Sequence, residues 1–286
     1  MRKGAALKDR IITTLTIAVT VTVGAALWYR GSGYYLLSVE QRVDAPLHAL
    51  LAPAHPVGHL LGWLGLGLMT VMLLYSVRKR VRWMRRLGSL RHWLSSHILM
   101  GLLGPLLITF HSAFKVSGLV SIAYWSMIVT MVSGIFGRYI YVQIPNSVLG
   151  DGQSPAALAE EARSIEVELE RSVSSASDLV AAPRPDGARG GWQALLVLLA
   201  DDLKRPWRRL RLALALRRAG LPRGEARAAV RLVQRRDLIL RRIDLSASLS
   251  EVFRYWHALH KPFVYIMFLI AAVHVGVALL FGYAGL

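Results

Sequence analysis

Residues 93–115 read WLSSHILMGLLGPLLITFHSAFK, and residues 256–274 read WHALHKPFVYIMFLIAAVH. Neither stretch contains an aspartate or glutamate, both are dominated by side chains that leave water readily, and each carries histidines fourteen positions apart: His97 and His111, then His260 and His274. An apolar helix needs roughly 20 residues to cross the hydrocarbon of a bilayer. Runs of that length fall near 11–29, 57–77, 93–113, 118–142 and 262–284. They predict an all-α integral membrane bundle of five transmembrane helices.

The composition agrees with lipid as the main solvent: 54% of residues are hydrophobic and the mean hydropathy is +0.42. A net charge of +18 would suggest nucleic acid in a soluble protein, but here the basic residues gather between the apolar runs, so no nucleic-acid partner is expected. The chain has no cysteine. That excludes disulfides, iron–sulfur clusters, thiolate ligands and covalently attached c-type haem, leaving histidine as the natural ligand of any redox centre. No glycine-rich turn joins a strand to a helix, and the glycines between Gly62 and Gly67 lie inside an apolar run, where they would serve helix packing.

Basic residues flanking the spans set the expected orientation. Arg78, Lys79, Arg80, Arg82, Arg85, Arg86 and Arg91 crowd the connection between helices two and three, whereas the connection between three and four holds only Lys115. The expectation is an inner (cytoplasmic) membrane protein of bacterial type with a cytoplasmic N-terminus and a periplasmic C-terminus. The first run follows Arg2, Lys3, Lys8 and Arg10 and is read as a retained anchor, being long for a signal-peptide core.

The organisation predicted is helices one to four in 1–142, a helical cytoplasmic insertion over 143–256, and helix five in 257–286. Within the insertion, Ser154-Pro155 suits a helix start, 183–191 is turn-rich, and two basic helices are expected over 193–219 and 223–243. Arg208, Arg209, Arg211, Arg217 and Arg218 recur among leucines. That pattern suits an anionic lipid surface or an acidic partner, and equally a helical hairpin with a solvated basic face.

Fourteen residues make nearly four helical turns, so each histidine pair projects from one face with roughly 21 Å between its members. Helices three and five run parallel in the expected topology. His97 can therefore face His260 on the inner side, and His111 can face His274 on the outer side. One imidazole from each of two helices, with no carboxylate nearby, suits haem better than a zinc or iron site needing three or four convergent ligands. Two b-type haems are the expected cofactors, with His97, His111, His260 and His274 as iron ligands. Arg138 and Lys261 are candidates to neutralise propionates at the inner site, and Lys115 at the outer one. Intramembrane hydrogen bonding is the competing reading of any single histidine. His257 and His92 do not share a face with the outer ligands of their helices and are read as interfacial. His55 and His59, four apart, fit a quinone pocket or a metal less well than capping or interfacial bonding.

Trp93 to Lys115 with its two histidines, the run Ser133-Gly134-Ile135-Phe136-Gly137-Arg138-Tyr139, and Trp256 to His274 together resemble the membrane core of dihaem cytochromes b. In topology the chain is similar to the transmembrane domain of ferric reductases and NADPH oxidases, and in ligand logic to the cytochrome b561 group and to membrane anchors of respiratory enzymes. The resemblance implies transmembrane electron transfer through His97, His111, His260 and His274. The function expected is that of a cytochrome b subunit linking the quinone pool to a redox partner, either a periplasmic cytochrome or a soluble subunit docked on the insertion. A stand-alone reductase of ferric chelates or oxygen, and a haem-free membrane scaffold or assembly protein, stand as alternatives.

Overall fold

The computed structural model describes residues 2–143, 155–173, 177–180, 191–244 and 246–281. Among these every regular element is helical: α1 (Arg2–Tyr35), α2 (His48–Leu51), α3 (Pro56–Met72), α4 (Leu74–Arg80), a 3-10 turn (Trp83–Arg86), α5 (Leu90–His111), α6 (Val120–Gln143), α7 (Pro155–Ser172), α8 (Ser177–Val180), α9 (Trp192–Arg218), α10 (Arg223–Asp244) and α11 (Ser246–Leu280). Among the described residues five stretches are long and apolar enough to cross a membrane: Ile11–Tyr35, His48–Arg80, His92–His111, Val120–Tyr141 and Ser248–Leu280. The expected helix start at Ser154 and most of the expected turn over 183–191 lie outside the described residues.

The chain forms two compact units, one of residues 1–134 with 260–286 and one of residues 135–259. In the first, α5 is the central element, packed by α3 along its length and by α1. Missing side chains permit the α3–α5 approach: a Cβ at Gly65 would stand 3.0 Å from the Gly104 carbonyl oxygen, and one at Gly104 would stand 2.6 Å from Met69 Cγ. Small residues replace the hydrophobic effect as the means of bringing helices together when the surroundings are as apolar as the side chains. Tyr34, Tyr35, Leu61, Leu107 and Phe110 fill the α1–α3–α5 core, while Met69, Met127 and Met267 meet where α3, α6 and α11 converge.

Two breaks in regular helix bear on the site in this unit. The second span breaks at Leu73, between α3 and α4. At the end of α5, Ala113 and Phe114 both take positive φ, 48° and 61°, a left-handed conformation that costs non-glycine residues energy. This turn is held by Arg42, which donates from Nη1 to the Ala113 carbonyl, from Nη2 to that of Tyr35 (2.8 Å) and from Nε to that of Leu37 (3.0 Å).

The second unit has cores of its own. Ile165, Leu169, Leu216, Ala229 and Val233 are buried between α7, α9 and α10, and Ile140, Leu195, Leu198, Leu249 and Val252 join α6, α9 and α11. Gly137 lies directly against the Trp256 indole, in space that a Cβ would occupy. Arg241 bridges adjacent carboxylates, Nη2 to Asp201 at 2.8 Å and Nη1 to Asp202 at 3.0 Å, and Asp202 also accepts from the Tyr139 hydroxyl at 2.8 Å. Burial, and after it the charge of Arg209, press the Arg205 guanidinium below its ordinary value, with Asp202 opposing.

The two basic helices expected over 193–219 and 223–243 appear as α9 and α10, separated at Gly220, whose φ is 93°. The last helix begins at Ser246, well before the apolar run expected from 262, and continues through Pro262. Proline removes one backbone donor, which a long helix carries when its other ladder bonds are intact.

Candidate functional site

His111 closes α5 and leans on α3. Its Nδ1 lies 2.8 Å from the Gly58 carbonyl oxygen. A carbonyl can only accept, so Nδ1 carries the proton and the lone pair sits on Nε2. The ring reaches that carbonyl because residue 62 is glycine: a Cβ there would stand 2.7 Å from Nδ1.

His97, fourteen residues earlier, repeats the arrangement, with Nδ1 at 3.1 Å from the Met72 carbonyl oxygen. Gly58 and Met72 are themselves fourteen residues apart on α3, which passes α5 in the opposite sense, so the two contacts mark one continuous antiparallel register. The break at Leu73 makes the second contact available. The Ser76 amide, which would ordinarily bond the Met72 carbonyl, bonds that of Leu73 at 2.9 Å instead, leaving Met72 to accept from the imidazole.

His260 on α11 is held through Ser133 of α6. Its Nδ1 is 2.7 Å from Ser133 Oγ, and that hydroxyl also lies 2.9 Å from the Thr130 carbonyl oxygen. A hydroxyl can donate or accept, so this contact orients the His260 ring without fixing its tautomer. His97 and His111 thus share one tautomer, fixed by a carbonyl at Nδ1, and His260 has an oxygen at the same ring position. This is the arrangement by which proteins orient an imidazole for a ligand at Nε2.

His274 lies fourteen residues further along α11 and makes no hydrogen bond among the described residues. It lines a cavity of about 460 Å³ together with His111 and Lys115. Gly62, Met69, Tyr124, Met127 and Met267 provide much of the remaining surface. No family model, curated protein or solved structure matches this chain. Its chemistry must be read from the side chains themselves.

The volume falls within the range of sites that enclose small molecules and cofactors. Two imidazoles, apolar and thioether walls, and one lysine suit a flat, largely apolar group with an anionic edge, and His111 presents a lone pair for a metal at its centre. Among the described residues no three histidine, aspartate or glutamate side chains gather as a metal-binding group.

The other expected site residues are placed differently. His97 and His260 do not line this cavity. Lys261 is exposed, and Arg138, in the unit of residues 135–259, has its guanidinium 5.9 Å from the Tyr141 ring centre. His55 and His59 do not act as a pair. His55 packs edge-on to His48, ring centres 5.4 Å apart, and caps no helix with its side chain although it occupies the N-cap position of α3. His59 lines the cavity and accepts from Trp63 Nε1 at 3.1 Å. His257 bonds the Phe253 carbonyl on its own helix at 3.2 Å.

Sequence reasoning passes over Gly58, Gly62, Met72 and Ser133, which orient the imidazoles. Gly58 and Gly62 leave a trace in the letters as part of the small-residue series Gly58, Gly62 and Gly65, and Ser133 stands in the run 133–139, but nothing there marks any of them as a partner of a histidine.

Proposed function

We propose that the protein spans a bacterial-type inner membrane five times, N-terminus cytoplasmic, and carries electrons across it through two b-type haems. The observation that supports this most is His111, locked by the Gly58 carbonyl into the tautomer with its lone pair on Nε2, sharing a cofactor-sized cavity with His274. These two residues would ligate the outer haem, with Lys115 to meet its propionates. His97 and His260 would ligate the inner haem, for which the support is the donor set: two imidazoles held at Nδ1 by Met72 and Ser133. Arg138 and Lys261 are assigned to the propionates on that side.

A haem bound at each pair supplies a one-electron iron couple. The chain's own contribution is orientation, tautomer and exclusion of water. The imidazoles of His97 and His111 donate a hydrogen bond from Nδ1, which raises the basicity of Nε2. Apolar walls built from Met69, Met127 and Met267 keep the site dry and restrain the change of charge that accompanies electron transfer. In this reading the protein is a cytochrome b subunit between the quinone pool and a redox partner, a periplasmic cytochrome or a soluble subunit docked on the 143–256 segment.

The test is a pyridine haemochrome assay with a reduced-minus-oxidised spectrum of the purified chain. Two non-covalent b haems per polypeptide are expected, and His111→Ala or His274→Ala should each halve the haem content while preserving the signal of the other site. A colourless protein from haem-replete cells, or unchanged haem content in both variants, refutes the assignment and leaves a histidine-bearing membrane scaffold.

A further inference from the structure

α9 has two apolar faces, and only one is used. Ala194, Leu195, Leu198 and Leu216 are buried in the unit of residues 135–259. Trp192, Leu196, Leu199, Leu203, Trp207, Leu210 and Leu214 are all exposed, several of them more than half, with Leu203 at 79%. Their spacings are four, three, four, four, three and four residues, which places all seven on one stripe of the helix. At 1.5 Å per residue the stripe is roughly 33 Å long.

One of its borders is basic. Lys204, Arg211 and Arg218 are exposed, follow one another at intervals of seven along one edge, and have no acidic partner among the described residues. The helix has only two carboxylates: Asp201 is on the face away from the stripe, paired with Arg208 and Arg241, and Asp202 is at the opposite border, paired with Arg241. An exposed apolar face with a row of cations along one edge and its nearest carboxylates already paired suits the boundary between anionic headgroups and acyl chains. Trp192 and Trp207 add side chains with an apolar body and a polar N–H, which favour that boundary. The segment is also tethered on both sides by the apolar helices α6 and α11, so a bilayer surface is its permanent neighbour.

We propose that α9 is an interfacial helix, lying in the cytoplasmic leaflet with its Trp192-to-Leu214 stripe in the acyl boundary and its basic edge on anionic lipid headgroups. The inference rests on the membrane-spanning reading of α6 and α11 and is independent of the haem assignment. Helices of this kind bury their apolar face about 5–10 Å below the headgroups.

The natural absence of cysteine makes single-site labelling clean. The full-length chain would be reconstituted in nanodiscs of phosphatidylcholine and phosphatidylglycerol, carrying a nitroxide at Leu196→Cys, Leu203→Cys or Leu210→Cys. Arg209→Cys on the same helix serves as the water-side reference and Leu269→Cys on α11 as the acyl-chain reference. The accessibility ratio of oxygen to a water-soluble nickel chelate should be severalfold higher at the three stripe positions than at 209, and should fall when Lys204, Arg211 and Arg218 are all replaced by glutamate. Stripe labels as open to nickel as position 209 overturn the proposal. So do stripe labels shielded from both reagents, which would mean that a partner protein or a second copy covers the face. A nickel-accessible label at 269 would instead overturn the membrane-spanning reading itself.

Discussion

The candidate site depends on two atoms that side-chain chemistry does not announce, the carbonyl oxygens of Gly58 and Met72. Each fixes the Nδ1 proton of a histidine and thereby decides which nitrogen can bind a metal. Gly62 is the residue on which the first depends, since a methyl group there would collide with the His111 ring at 2.7 Å from Nδ1 and 2.8 Å from Cε1. Gly62→Ala is expected to cost about 1–3 kcal/mol of local packing and to displace His111 from its acceptor. Under the two-haem proposal the measurable result is loss or spectral broadening of one haem of two, while Gly67→Ala, with open space around it, leaves both intact. Equal spectra for the two variants would show that the His111 position does not depend on Gly62. The histidine periodicity itself is legible in the sequence because helical geometry alone converts fourteen positions into one face. The acceptors are not, because a backbone carbonyl is the same in every residue and becomes available only where a helix breaks, as at Leu73, or comes close, as beside Gly62.

At the scale of elements, the apolar runs locate the five candidate spans, since length and hydropathy are nearly sufficient when a helix must satisfy its backbone internally. They place the start of the last helix too late. Glu251, Arg254 and Lys261 interrupt the hydropathy there, yet helix propensity and burial of Leu249 and Val252 carry α11 back to Ser246. The turn after α5 is equally hidden. Nothing in the letters of Ala113-Phe114 signals left-handed backbone, a conformation that persists because other contacts oppose its cost. Arg42 provides those contacts by tying the end of α1 and the segment after it to the end of α5 through three carbonyls. Arg42→Ala should therefore destabilise this end of the bundle by about 2 kcal/mol, seen as a lower thermal midpoint in detergent. If the two-haem proposal holds, the haem assigned to His111 and His274 should be released before the other. Arg42→Lys is not expected to rescue, because an ammonium lacks the planar fork that reaches three acceptors at once. Full recovery by lysine would assign the residue a charge role in place of a geometric one.

Over the whole molecule, each compact unit carries its own buried cluster and its own polar network, so damage to one can be read separately from damage to the other. The residue that best tests this is Arg241, whose side chain is 12% exposed and whose two guanidinium nitrogens satisfy Asp201 and Asp202 on α9. Removing it takes the shared cation from two adjacent carboxylates; Asp201 retains Arg208 at 3.3 Å, and Asp202 retains the Tyr139 hydroxyl. A partly buried pair tolerates the loss better than a fully buried one, so a cost of about 1–3 kcal/mol is appropriate. Arg241→Ala should make the 143–256 segment more susceptible to trypsin, with cleavage at the many arginines of α9 and α10, while the haem stoichiometry expected under the two-haem proposal stays unchanged. Asp201→Asn with Asp202→Asn, which removes the repulsion along with the pair, should restore protease resistance to the Arg241→Ala background in large part. If the haem signal instead falls in step with protease protection, the packing of residues 135–259 is a condition for the histidine sites and not a separate element of the molecule.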